Sequence, residues 1–171
     1  IAGAKEEGKR PRDVEIRDEH TRKLIEVYQA YEDQCQREGV VDFAELMLRT
    51  YELLRDNDPL REHYQRRFRH VLVDEFQDTN AIQYAWLRLL AGSEGLPFAV
   101  GDDDQSIYRW RGARVENLHR FREDFPQCQL VRLEQNYRST GAILDAANAL
   151  IAHNTGRLGK NLWTSGARGE P

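Results

Sequence analysis

The chain has 171 residues, of which 40% are hydrophobic and 32% are charged, proportions typical of a soluble globular protein with a sizeable core. It has neither a signal-peptide pattern at its start nor an apolar run near the ~20 residues that a membrane helix needs. We therefore expect a cytoplasmic protein without membrane contact. The net charge of −4 argues against a globally basic nucleic-acid binder, so any such contact must come from local patches.

The cysteines and histidines give little indication of a metal or redox site. The two cysteines, Cys35 and Cys128, are far apart and match no metal or redox spacing, so we expect both to be reduced. The five histidines form no ligand pair at helical spacing. Because the first residue is Ile rather than Met, we expect the chain to be a trimmed piece of a larger protein.

The first 68 residues predict helices. Residues 1–16 are charged and contain Gly and Pro, which favours a loose connector. Apolar residues then recur at helical spacing from Asp18 to Glu38, and Gly39 ends the run. A second helix should begin at the capping-box signature of Asp42 and Glu45. A third, short helix should begin at Asp58 and Pro59.

The pattern changes at residue 70 to short apolar runs that alternate with helical segments. The expected strands are residues 70–73, buried on both faces, then 98–100 and 129–133. The expected helices are residues 79–91, 115–125 and 140–153. Alternating strands and helices predict βα units on a parallel sheet, and hence an α/β fold.

An acidic motif follows the first expected strand, where residues 73–78 read VDEFQD. Asp74 and Glu75 should lie at the carboxyl edge of the sheet, where ligands bind in open parallel sheets. Carboxylates are ligands for Mg²⁺, and a second carboxylate can orient or deprotonate an attacking water. The alternative is an ordinary polar turn, since Asp is common at strand ends.

A mixed motif follows the second expected strand, where residues 100–113 read VGDDDQSIYRWRGA. Gln105 offers an amide that can bind a terminal phosphate or a water. Tyr108 and Trp110 offer rings that can stack on unpaired bases, and Arg111 offers positive charge. In the alternative interpretation the aromatics are core residues and the arginines form a solvated face.

A third motif follows the third expected strand, where residues 133–140 read LEQNYRST. Arg138 is suited to neutralise charge on a transferring phosphoryl group, and Tyr137 to stack on adenine. The alternative is plain capping chemistry, with Ser139 or Thr140 as the N-cap of the next helix and Arg138 at the surface.

These three segments resemble motifs II, III and IV of the superfamily-1A DNA helicases, the group that contains UvrD, Rep and PcrA. The resemblance implies a RecA-like motor core with the P-loop NTPase fold, and ATP and Mg²⁺ as cofactors. It also implies roles for the site residues. At the nucleotide, Asp74 would bind the metal with Glu75 beside it as general base, Gln105 and Arg138 would contact the γ-phosphate, and Tyr137 would stack on the base. At the DNA, Tyr108 and Trp110 would face the single strand, and Arg111 would contact DNA or brace the loop.

At the level of the whole protein, the resemblance implies an ATP-dependent helicase that moves 3′ to 5′ in DNA repair or replication. Its partners would be single-stranded DNA, junctions of single- and double-stranded DNA and repair proteins, with nucleoid association in a bacterium. Residues 1–68 would end a helical insertion and return to the first motor domain. Residues 69–134 would complete that domain, and residues 135–171 would begin the second.

No run matches the P-loop pattern Gly-x-x-x-x-Gly-Lys-Ser/Thr, so we expect the chain alone to be inactive. Two alternatives stay open. One is a non-catalytic interaction module derived from a helicase, and the other is the motor part of a recombination nuclease-helicase.

Overall fold

A computed structural model describes residues 1–170 as a helix-rich chain with a small parallel sheet. The chain divides into two compact units. The first comprises residues 1–102 and 106–119, and the second comprises residues 103–105 with the chain from Arg120 onward. None of the helices in residues 1–170 is long and apolar enough to cross a membrane.

The helices are α1 (Ala2–Glu6), α2 (Glu19–Glu38), α3 (Phe43–Asp56), α4 (Asp58–Arg67), α5 (Ala81–Ala91), α6 (Asn117–Asp124) and α7 (Gly141–Ile151). The strands are β1 (His70–Val73) and β2 (Leu96–Ala99). Short 3₁₀ turns occur at Pro11–Asp13, Phe76–Asp78, Asp103–Gln105 and Arg109–Arg111.

Capping residues define the ends of the first long helices, as the sequence predicts. The Asp18 carboxylate accepts the Thr21 N–H at 2.6 Å at the start of α2, and Gly39 ends that helix in the left-handed conformation at φ 67°. The Asp42 carboxylate caps α3 by accepting the Glu45 N–H at 2.7 Å. At α4 the cap is Asn57, one residue before the predicted one.

Residues 1–16 are not a loose connector, and that prediction was wrong. They contain α1, whose Lys5 is only 2% exposed and lies 2.7 Å from Glu45 and 3.0 Å from Asp42. The reason is a set of buried and half-buried charges from separate segments, which patterns within one segment do not reveal. We call it the ionic cluster: Lys5, Arg10, Glu32, Asp42, Glu45 and Glu52.

Glu45 lies at the centre of the ionic cluster. Burial alone would raise the pKa of its carboxyl group, but hydrogen bonds from Lys5, Arg49 and Arg10 outweigh burial and lower the pKa to about 2. The Glu45 side chain therefore binds cations instead of completing the predicted capping box. These ion pairs hold the N-terminal segment against α3.

The two strands are parallel and pair in register, with His70 opposite Leu96 and Val73 opposite Ala99. This confirms a parallel α/β arrangement, although only for this small sheet. The predicted burial of β1 on both faces was wrong, since Leu72 is 75% exposed and Phe98 on β2 is 61% exposed. Helix α5 packs against the two strands, and Val71 and Val73 are half-buried.

The predicted third strand is absent from the described residues, so this expectation was also wrong. Residues 129–133 form no strand, and Val131 and Leu133 are 74% and 80% exposed. Pairing in this segment is limited to one parallel bridge between Gln135 and Trp163. A short segment rich in Leu and Val needs a neighbouring strand to form a ladder, and here the pairing begins only where that segment ends.

Candidate functional site

The acidic turn, Asp74 and Glu75, follows β1 directly. Glu75 has φ 48° and ψ 44° and is the only non-glycine among residues 1–170 with positive φ. Such a conformation costs roughly 1–3 kcal/mol and concentrates at functional sites. The Glu75 N–H donates to Asp74 Oδ1 at 2.9 Å, and both residues are exposed. The chain thus bends sharply just where the strand presents its two carboxylates.

Gln77 connects the acidic turn to the loop that follows β2. Its side chain is only 1% exposed. The Nε2 group donates to Glu75 Oε2 at 2.7 Å, and Oε1 accepts the Asp102 N–H at 2.9 Å. A Cβ atom on Gly101 would lie 2.8 Å from Oε1, so a glycine is required for this close approach. The backbone adds a bond from the Phe76 N–H to the Val100 carbonyl at 2.9 Å.

Sequence reasoning did not find Gln77. Its position two residues after Glu75, inside the motif, was the only available signal, and burial could not be read from it.

The acidic turn fits a hard divalent cation by its donor chemistry. Mg²⁺ takes oxygen ligands and is usually held by one or two carboxylates together with phosphate oxygens and water. Asp74 and Glu75 present such carboxylates at an exposed strand end. The hydrogen bonds they accept there come from neutral donors, the Glu75 N–H and the Gln77 amide, so their negative charge is not neutralised by these partners.

The aromatic loop consists of Tyr108, Trp110 and Arg111 on a 3₁₀ turn that ends at Gly112, where φ is 85°. Trp110 is 79% exposed and Tyr108 is 39% exposed. The Arg111 guanidinium lies 5.6 Å from the centroid of each of the two rings, a distance that allows cation–π attraction. Trp110 is therefore a surface residue of this unit, not a core residue as in the alternative interpretation of the sequence.

Asn117 fixes the base of the aromatic loop to the segment after the acidic turn. It is 1% exposed, and its Nδ2 donates to the carbonyl and hydroxyl oxygens of Thr79 at 3.0 and 3.1 Å. The Arg114 N–H donates to the same carbonyl at 2.9 Å. Thr79 in turn donates its hydroxyl to the Phe76 carbonyl at 2.7 Å. Sequence reasoning missed Asn117, because no local pattern links it to a residue 38 positions earlier.

Gln105 belongs to the second unit, at the end of the 3₁₀ turn Asp103–Gln105, and is exposed. The turn is held within that unit by its acidic residues. The Asp103 carboxylate accepts the Leu158 N–H at 2.6 Å, and Asp104 forms an ion pair with Arg157.

Tyr137 and Arg138 also belong to the second unit and are exposed, Tyr137 by 85%. The Asn136 side chain accepts the N–H groups of Arg138 and Ser139 at 2.9 and 2.8 Å, which makes an Asx-type turn. Thr140 is the N-cap of α7 by position, but its side chain makes no capping bond. Carbonyl groups of residues 167 and 168 accept the first helical N–H groups instead.

The structure thus places some of the predicted site residues in the same unit. Asp74, Glu75 and the aromatic loop occupy one unit and are tied to a common backbone segment, whereas Gln105, Tyr137 and Arg138 occupy the other. The chemical roles assigned to these residues from the sequence stay predictions.

A comparison with protein families identifies the class of protein. The family model described as "UvrD/REP helicase N-terminal domain" matches residues 1–126, about three quarters of the chain. The chain therefore belongs to the UvrD/REP helicase family, which agrees with the resemblance seen in its motifs.

Individual relatives are similar along the whole chain. DNA helicase II of Escherichia coli is 58% identical over 172 residues, covering 100% of this chain and 24% of the relative. DNA helicase II of Haemophilus influenzae is 56% identical with the same coverage. ATP-dependent DNA helicase PcrA of Staphylococcus epidermidis is 43% identical and covers 99% of the chain and 24% of the relative. The chain spans about a quarter of the length of these relatives.

Proposed function

We propose that this chain is an internal part of an ATP-dependent DNA helicase that moves 3′ to 5′ on single-stranded DNA and unwinds duplexes. The observation that carries the proposal is the acidic turn at the carboxyl end of β1, in a chain that belongs to a helicase family. On this proposal the three sequence motifs are helicase motifs II, III and IV. Residues 69–134 complete one RecA-like motor domain, and residues 135–171 begin a second.

In the proposed mechanism Asp74 holds Mg²⁺ and Glu75 takes a proton from the attacking water. The bound metal would supply positive charge against the β- and γ-phosphates of ATP. Glu75 suits the role of base because its carboxylate is exposed to solvent and is oriented by the Gln77 amide. Gln105 and Arg138 would contact the γ-phosphate, and Tyr137 would stack on the base of the nucleotide.

The aromatic loop would bind the DNA strand. The exposed ring of Trp110, with Tyr108 beside it, offers a stacking surface for bases, and Arg111 offers a charge for the phosphate backbone. The expected partners are single-stranded DNA, junctions of single- and double-stranded DNA and repair proteins, in the cytoplasm of the cell.

The proposal is tested with two substitutions in the complete protein that carries this chain. Glu75→Gln should keep Mg²⁺-ATP binding but lower kcat by roughly 10²–10⁴, the usual contribution of a general base. Asp74→Ala should weaken the Mg²⁺-nucleotide complex itself. The measurements are steady-state ATPase and equilibrium binding of a fluorescent nucleotide.

A matched control is Glu94→Gln, which makes the same substitution at a carboxylate that is 82% exposed near the start of β2. It should leave both measurements unchanged. A wild-type kcat in Glu75→Gln would place the base elsewhere. The 171-residue chain alone should hydrolyse no ATP, since two carboxylates and an arginine do not form a cradle for a triphosphate.

A further inference from the structure

We propose that Gln77 is a positioning residue for Glu75, and that it makes the orientation of the proposed base depend on the loop after β2. The inference rests on the proposed function, because it needs Glu75 to act as the base. It adds a residue, and a connection between two motifs, to which the sequence patterns assign no role.

Both polar atoms of Gln77 are used, and they fix the orientation of its amide. Nε2 is a donor and faces the Glu75 carboxylate at 2.7 Å, while Oε1 is an acceptor and faces the Asp102 N–H at 2.9 Å. The flipped amide would place an oxygen against a carboxylate and an NH₂ group against an N–H. Only one arrangement therefore satisfies both neighbours.

The surroundings of Gln77 leave its amide little freedom to move. The side chain is 1% exposed, and the Gly101 Cα approaches so closely that an added Cβ would stand 2.8 Å from Oε1 and 3.2 Å from the Phe76 Cβ. Glu75 is different, because it is exposed and its side chain has three rotatable bonds. A rigid buried amide that donates to a mobile exposed carboxylate restricts the directions in which that carboxylate can point.

The same amide links the base to a loop that lies 25 residues beyond Gln77 along the chain. The Asp102 N–H and the Glu75 carboxylate bind opposite ends of one amide, so a displacement of Gly101 and Asp102 moves the donor that orients Glu75. The residues that follow Asp102 include Gln105, the proposed γ-phosphate contact, and then the aromatic loop. Gln77 would therefore transmit the position of this loop to the proposed base.

The test uses Gln77→Met and Gly101→Ala in the complete helicase. Gln77→Met keeps the length of the side chain and removes both hydrogen bonds. Gly101→Ala keeps Gln77 but pushes on Oε1 from the loop, at a residue without positive φ. Loss of a residue that orients a functional group typically costs 10- to 100-fold in activity. We expect kcat to fall by roughly that factor in Gln77→Met and by less in Gly101→Ala, with equilibrium Mg²⁺-ATP binding unchanged.

A double-mutant cycle separates positioning from a merely structural role. If Gln77 acts through Glu75, Gln77→Met should cause no further loss of kcat in a Glu75→Gln background. Hydrogen exchange at the Asp102 amide should be faster in Gln77→Met, as a readout that does not depend on activity. A further fall of kcat in the double variant by the same factor as in the single one would overturn the proposal, and so would a wild-type kcat in Gln77→Met.

Failure of the proposed function and failure of the positioning role would give different results. A wild-type kcat in Glu75→Gln would reject Glu75 as the base, and with it the proposed function of the acidic turn. A large loss in Glu75→Gln combined with a wild-type kcat in Gln77→Met would reject only the positioning role. If Gln77→Met fails to fold, Gly101→Ala still decides the question. A lowered kcat with an unchanged Tm in Gly101→Ala would support the link between the loop after β2 and Glu75, and an unchanged kcat would contradict it.

Discussion

The first unit contains two groups of carboxylates that differ in how their charge is balanced. In the ionic cluster, the Glu45 side chain is 4% exposed and lies within ion-pair distance of Lys5, Arg10 and Arg49. In the acidic turn, Asp74 and Glu75 are exposed and accept hydrogen bonds from a backbone N–H and an amide. Carboxylates are therefore neutralised by cations in the ionic cluster, whereas in the acidic turn they are held by neutral donors.

This difference indicates what each group can do. A buried carboxylate among cations cannot offer its charge to a ligand, and its removal takes an ion-pair partner away from each of those cations. An exposed carboxylate that neutral donors orient keeps its charge for a metal ion or a proton. We therefore expect charge removal to affect stability in the ionic cluster and chemistry in the acidic turn.

The largest expected effect on stability is that of Glu45→Gln. Removing one partner of a buried ion pair typically costs about 3–5 kcal/mol when the opposite charge is left uncompensated. The cost of Glu45→Gln should lie at or below the lower end of this range, because Lys5 keeps Asp42 and Arg10 keeps Glu52. Lys5, which is 2% exposed, would lose its nearest carboxylate partner, at 2.7 Å. Thermal melting followed by circular dichroism should show a large decrease in Tm for Glu45→Gln and little change for Glu75→Gln. Equal decreases in Tm would remove the distinction between the two groups.

Acid should weaken the ionic cluster in a defined pH window. Burial would raise the pKa of Glu45, but its cationic partners lower it to about 2, below the value of 4.5 for a free glutamate. A lowered pKa in the folded state means that the contribution is fully present above pH 4.5 and is lost as pH falls toward 2. The difference corresponds to a stabilisation on the order of 3 kcal/mol.

Urea unfolding of the wild type and of Glu45→Gln at several pH values measures this contribution. The two unfolding free energies should differ most near neutral pH, and the difference should shrink below pH 4.5. A difference that is constant down to pH 3 would mean that the ion pairs do not set the pKa of Glu45.

Local features of this fold were predictable from the sequence. Asp18, Asp42 and Gly39 mark helix ends through their own backbone neighbours, so they can be read within a window of a few residues. The strand at His70–Val73 and its parallel partner were predictable because apolar runs alternated with helical segments. The predicted helix of residues 79–91 is likewise confirmed as α5.

Features that depend on contacts distant in sequence were not predictable. Lys5 reads as part of a charged, loose segment, and only its contact with residues 37 and 40 positions later makes it a buried residue. Val131 looks like a strand residue, but a strand also needs a partner. At the candidate site, the motif residues were visible in the sequence, whereas Gln77 and Asn117 were not, because their roles lie in the hydrogen bonds that join separate segments.

A smaller effect is expected from Trp110→Ala, measured as binding of single-stranded DNA by the complete protein. A base stacked on an aromatic ring contributes ~1–3 kcal/mol, so affinity should fall by roughly 5- to 150-fold. The loss should be similar for different homopolymers, since stacking is indifferent to base identity. Because Trp110 is 79% exposed, Tm and ATPase without DNA should be retained. Phe43→Ala is the matched control, as this ring on α3 is 91% exposed outside the aromatic loop.

Arg111→Ala should give the smallest effect and one of a different kind. A lysine or arginine that contacts a phosphate releases a counterion, so its loss should reduce the salt slope of single-strand binding by about 0.7. Trp110→Ala removes no charge and should leave that slope unchanged. If Arg111 instead braces the loop through its contacts with the two rings, Arg111→Ala would weaken binding without changing the slope. Its effect would then overlap with that of Trp110→Ala in the double variant, whereas a phosphate contact would add to it.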